Sequence, residues 1–169
     1  MTCLGNSSLL DQEKHGFICS RSTQSSVILP CLDWAAERAR GDTAVMSTFH
    51  SELESAVLDL LIPGRCPIIL VLGRRLYSKV PERLRVLLAA DRLLIVSVSN
   101  QSRISRHSAY LANQYICDNS NALTVGFLSP ETALVQLCES AKAKGIPVTS
   151  PDGPSFSSFS NKPEQVSGP

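Results

Sequence analysis

The chain has 169 residues, a length that fits one domain able to bury a core without disulfide or metal staples. Apolar residues make up 43% and charged residues 18%, which excludes a disordered chain, and no apolar run approaches the ~18 residues of a spanning helix. Sixteen Lys and Arg against fifteen Asp and Glu leave a net charge of +1, so a nucleic-acid site has to be a local patch.

The opening MTCLGNSSLLDQEKHG lacks the basic and apolar regions of a secretory signal, which predicts a cytoplasmic protein. The six cysteines show no CxxC spacing and no histidine at metal-ligand spacing. They read as free thiols packed as small hydrophobes, with no metal and no cofactor.

Residues 16–19 read as a short buried strand, and 25–40 as a helix whose apolar face is Leu29, Leu32, Ala35, Ala36 and Ala39. Residues 43–47 form a second strand. Ser51 caps the next helix, which presents Leu53, Ala56, Val57, Leu60 and Leu61 and ends at Pro63-Gly64. The continuous apolar run 67–72 is typical of a central parallel strand buried on both faces. A helix over 81–90, a strand over 93–97, a helix over 105–119, a strand over 122–126 and a helix over 130–144 follow. Residues 146–149 form a last strand, and Pro147 places it at an edge.

This alternation predicts an α/β fold: a doubly wound, Rossmann-like three-layer sandwich on a mostly parallel sheet of five to six strands. Residues 1–150 form the single domain, and 151–169 form a Ser/Pro/Gly-rich tail, extended or disordered.

Ligands of such sheets bind beyond the carboxyl ends of the strands. The loops there carry Ser20, Arg21 and Ser22, then His50, Ser51 and Glu54, then Gly73 and Arg74, and finally Ser129 and Thr132. Hydroxyls, guanidinium groups and helix N-termini are the chemistry that holds phosphate. Helix capping accounts for Ser51 and Ser105 but not for Arg21, Arg74 and Arg75 at the same end. His50 reads either as a neutral donor to a ligand or as a loop histidine bonded to backbone or water. Glu52 and Glu54 read either as an acid or base or, for Glu52 above all, as complements of the helix dipole. His15 and His107 read as surface residues. GxGxxG, GxxxxGK[ST], GxSxG and HExxH are all absent from the sequence.

Three segments, Leu4-Gly-Asn-Ser-Ser-Leu-Leu, Cys19-Ser-Arg21 and Phe49-His-Ser51, taken in order, resemble the Rossmann-like core of the DNA-processing protein A family and its stand-alone relatives. That superfamily also holds the Lonely-guy and lysine-decarboxylase-like proteins. The resemblance implies a binding module without catalytic residues. Its ligand would be a nucleotide, a nucleotide-derived molecule or single-stranded DNA. A homodimer and the absence of a membrane partner are also implied. It assigns Ser20 and Arg21 to the first loop, Phe49, His50, Ser51 and Glu54 to the second and Arg74 to the third.

The family's Arg-Asn-Arg is here Ala112-Asn113-Gln114, so only Asn113 matches, and Arg103 and Arg106 upstream are the candidate nucleic-acid contacts. The glycine-rich loop after the fifth strand is here Leu128-Ser-Pro-Glu-Thr132, where Thr132 alone matches. Two other readings stand beside the binding module. One is a nucleoside-monophosphate N-glycosidic hydrolase using Glu54 or Glu131; the other is an interaction protein with a decayed site.

Overall fold

The computed structural model describes residues 1–130 and 132–153. The chain forms strands β1 (Thr2–Gly5), β2 (Lys14–Ile18), β3 (Ala44–Ser47), β4 (Ile68–Leu72), β5 (Leu93–Ser97), β6 (Ala122–Val125) and β7 (Val148–Thr149). Its helices are α1 (Ile28–Ala39), α2 (Glu52–Leu61), α3 (Glu82–Ala89), α4 (Arg106–Asn119) and α5 (Ala133–Ala143). One sheet runs in the order β1-β5-β4-β3-β2-β6-β7. All its pairings are parallel except β1 with β5, which is antiparallel.

The strands read as predicted because both of their faces are apolar. Alternate side chains divide between two cores. Phe17, Val45, Ile68 and Ile95 pack with Trp34 of α1, Val57 and Leu61 of α2 and Leu87 of α3. Ile18, Met46, Ile69 and Leu94 pack with Ile116 of α4 and Leu137 and Cys138 of α5. Helices therefore cover both faces, as a doubly wound sheet requires. The chain steps outward from β2 through β5, then returns under α4 to place β6 on the other side of β2. The direction of winding reverses between β2 and β6, and a crevice opens beyond the carboxyl ends of the strands there.

Three expectations change. The sheet has seven strands, not five or six, because Thr2–Gly5 adds to β5 as an exposed antiparallel edge. The period of α1 is right but its phase is not: Cys31, Trp34, Ala35 and Ala39 face inward, while Leu29 is 65% exposed. The indole stacks on Phe17 at 5.0 Å and fixes that phase. His15 is half-buried rather than a surface residue, with Nε2 2.7 Å from Thr124 Oγ1. Burial, then the Arg38 charge, lowers its pKa to about 4. Residues 154–169 of the expected tail lie outside the described residues, and β7 is the edge strand that Pro147 implied. The six cysteines are free, and five of them are buried. No helix among the described residues is long and apolar enough to cross a membrane.

The edge strand depends on one glycine. Gly5 has φ +104°, and a Cβ there would strike the Leu93 carbonyl oxygen. Its neighbour Asn6 donates from its backbone N–H to that same oxygen at 2.9 Å. Gly5→Ala should therefore cost about 1–3 kcal/mol. The urea midpoint should fall with the slope unchanged, which equilibrium unfolding measures.

Candidate functional site

A cleft of about 920 Å³ lies at the carboxyl ends of the strands. The loops after β2, β3, β4, β5 and β6 all reach it, so residues remote in sequence line one cavity. It is floored by aliphatic side chains such as Leu70 and Leu72, and its walls carry the polar groups.

Glu54 organises these walls. Ser51 caps α2 in a capping box: its hydroxyl accepts from Glu54 N at 3.2 Å, and the Glu54 carboxylate reaches back to the Ser51 N–H. The carboxylate does more than that. Its Oε2 accepts from His50 N at 2.8 Å and Thr48 Oγ1 at 2.7 Å, and its Oε1 accepts from Cys19 N at 3.2 Å. One side chain, 2% exposed, thus ties the end of β2 to the loop after β3. Burial pushes its carboxyl above the usual carboxylate range, and the four hydrogen bonds oppose that shift. Oε2 takes three of these donors and Oε1 one, so Glu54 serves the cleft as a structural group.

This arrangement forces an unusual backbone. Phe49 has φ +48°, a left-handed conformation that strains a bulky residue by about 1–3 kcal/mol. The turn is what aims the N–H groups of His50 and Ser51 at one oxygen. The His50 ring then projects to the cleft mouth, where Arg21 Nη2 lies 3.0 Å from its Nε2.

Ser20 joins the first loop to the fifth. Its N–H donates to Phe127 O at 2.8 Å, and its hydroxyl accepts from Ser129 N at 3.0 Å. Thr132 spends its hydroxyl on Ser129 O at 2.8 Å, so no side chain caps α5, whose first residue Ala133 borders the cleft. Ser22 lines the entrance and is exposed.

On the opposite wall Arg74 lies over the Tyr77 ring at 4.6 Å, and Ser97 Oγ holds the Arg74 carbonyl at 2.8 Å. Gly73 lets β4 run close under α4: a Cβ there would sit 2.7 Å from Ser108 O. Ser105 and Ser108 form a capping box at the start of α4, and Arg106 in its first turn lines the cleft.

Twelve of the thirteen candidate residues thus border one cavity, and Arg103 does not. Asn113 borders it, but its amide donates back to Ala109 O at 3.0 Å. Sequence reasoning missed Thr48, Tyr77 and Tyr110 as lining residues. Thr48 directly precedes the Phe49-His-Ser51 segment, whereas Tyr77 and Tyr110 carry no local signal. Cys19 also lines the cleft. Burial and then the Glu54 charge push its thiol up to about 12, which disfavours the thiolate. Glu131 lies outside the described residues. No cluster of metal-ligating side chains occurs among the described residues.

No protein-family model matches the chain, and no curated protein matches it. Solved structures share its fold. DNA processing protein A from Helicobacter pylori, solved to describe its single-stranded DNA binding mode, superposes with a TM-score of 0.70 at 16% identity, over 88% of this chain and 69% of that one. DNA processing protein A from Streptococcus pneumoniae gives 0.70 and 16%, over 88% of this chain and 53% of that one. This chain therefore spans about half the length of the streptococcal protein. The molybdenum cofactor carrier protein of Chlamydomonas reinhardtii gives 0.57 at 10% identity, over 82% and 76% of the two chains. The chain thus has the Rossmann-like fold of DNA processing protein A, as its resemblance to that family implied.

The Glu54 network yields a stability test. Glu54→Gln places an amide N–H₂ against an N–H donor and should cost about 1–3 kcal/mol. Glu54→Ala strands four donors and should cost more. Equal unfolding midpoints for the wild type and both variants would refute this account.

Proposed function

We propose that the chain is a binding module of the DNA-processing protein A type whose cleft takes a phosphate-bearing ligand: a nucleotide, a nucleotide-derived molecule or single-stranded DNA. The observation that carries this reading is the balance of charge. Arg21, Arg74 and Arg106 line the cleft, and none has a carboxylate within ion-pair distance among the described residues. Arg83, a fourth lining arginine, is paired with Asp59, and outside the cleft Arg65 and Arg85 are paired with Asp42 and Glu82. The only carboxylate among the described lining residues is Glu54, whose oxygens are already taken. The N-terminus of α5, to which Thr132 makes no side-chain cap, adds N–H donors on the same side.

The same facts weigh against hydrolysis, since the one described carboxylate lining the cleft is buried and bonded to four donors. Exposed Arg75, Lys79 and Arg103 lie on the loops around the cleft and favour the DNA form of the reading. Tethering of Asn113 favours the small ligand.

One titration series separates them. A labelled 5′-nucleotide and a labelled single-stranded oligonucleotide are titrated at low and moderate salt. A steep salt slope for the oligonucleotide marks the DNA form, and a shallow one with nucleotide binding marks the other. Arg21→Ala and Arg74→Ala should each weaken binding roughly tenfold or more. Arg40→Ala, at the far end of α1, should leave it unchanged. Failure of both probes to bind, or full binding by both cleft variants, refutes the reading.

A further inference from the structure

We propose that His50 is a positioning residue for Arg21: its ring accepts a hydrogen bond from the guanidinium and holds that group facing the ligand's phosphate. The proposal rests on the reading of the cleft as an anion site. Arg21 lies in the loop after β2, outside any helix or strand, and its side chain is exposed. Left to itself, a long side chain there samples many rotamers and loses them on binding. Among the described residues it has no carboxylate to restrain it. Its hydrogen bond is to His50 Nε2, at 3.0 Å.

A guanidinium has donors and no acceptor, so Nε2 contributes its lone pair and the ring proton lies on Nδ1. Only one of the five N–H groups of Arg21 is used this way. The others stay available for the forked contact that phosphate oxygens favour.

The histidine suits this role because its own backbone is fixed. Its N–H donates to Glu54 Oε2 at 2.8 Å, and the left-handed turn at Phe49 sets its direction. The restraint passes from a buried carboxylate, through a strained turn, to an imidazole and then to a mobile cation. His50 is thereby reassigned from a ligand donor to the group that orients the donor.

The test uses AMP as the probe, measured by calorimetry on wild type, Arg21→Ala, His50→Ala, His50→Gln and the double variant Arg21→Ala with His50→Ala. His50→Ala should weaken binding about three- to tenfold with the unfolding midpoint unchanged, because the side chain is exposed. His50→Gln, whose amide oxygen accepts from the guanidinium, should recover most of the loss. In the Arg21→Ala background, His50→Ala should have no further effect.

Additive losses, or unchanged binding by His50→Ala while Arg21→Ala is impaired, would overturn the proposal alone. Undiminished binding by Arg21→Ala would overturn the anion-site reading with it. A second readout needs no ligand. The ¹⁵N signals of the His50 ring should show the Nδ1–H tautomer in the wild type and lose that bias in Arg21→Ala. A wild-type ring with its proton on Nε2 would also overturn the proposal.

Discussion

A buried carboxylate that accepts four hydrogen bonds is the constraint on which this site depends. Taking Glu54 out of water is costly unless its oxygens are hydrogen-bonded, and they are bonded by groups from three places in the chain. The Cys19 N–H comes from the end of β2, the Thr48 hydroxyl from the end of β3, and two further N–H groups from the first turn into α2. The loops after β2 and β3, which also meet through Arg21 and His50, are locked into one geometry. The left-handed Phe49 is tolerated because the hydrogen bonds it enables outweigh its strain.

The sheet supplies the rest of the frame. Its winding reverses beside β2, so the loops after β2 and β6 part toward opposite faces and leave a crevice between them. Ser20 bridges that crevice at its base by bonding Phe127 and Ser129. In families with a glycine-rich loop, backbone approaches a phosphate directly. Here Pro130 follows Ser129, and a serine hydroxyl fixes the position of that loop instead. The polar side chains at this end are largely committed to one another, which leaves the arginines as the groups with donors to spare. Gly73 completes the frame by admitting the backbone of α4 to the end of β4.

Cleft chemistry follows from what these commitments leave over. Cys19 is buried beside a carboxylate that holds its N–H, Glu54 is bonded to four donors, and the hydroxyls of Ser20 and Thr132 hold backbone. The chain's fold likeness to DNA processing protein A and to a molybdenum cofactor carrier is one of architecture, and the ligand is decided by side chains that differ between them.

The sequence by itself determined the α/β class, the six parallel strands, the five helices and the end of the sheet where the cleft lies. Those features rest on local signals: apolar runs such as 67–72, the capping serines at 51 and 105, and the strand-to-helix loops that topology gathers on one edge. Only tertiary structure decided the seventh strand, since Thr2–Gly5 has no apolar pattern and becomes a strand by pairing with β5. It also decided which face of α1 is buried, because Trp34 chose Phe17 as its partner across a gap of seventeen residues. The roles of Glu54 and His50 belong to the same group. A carboxylate in a first helical turn looks like a dipole complement, and a loop histidine looks like a ligand donor. What each one does depends on Cys19 and Arg21, some thirty residues away, and contacts at that distance leave no mark on local sequence.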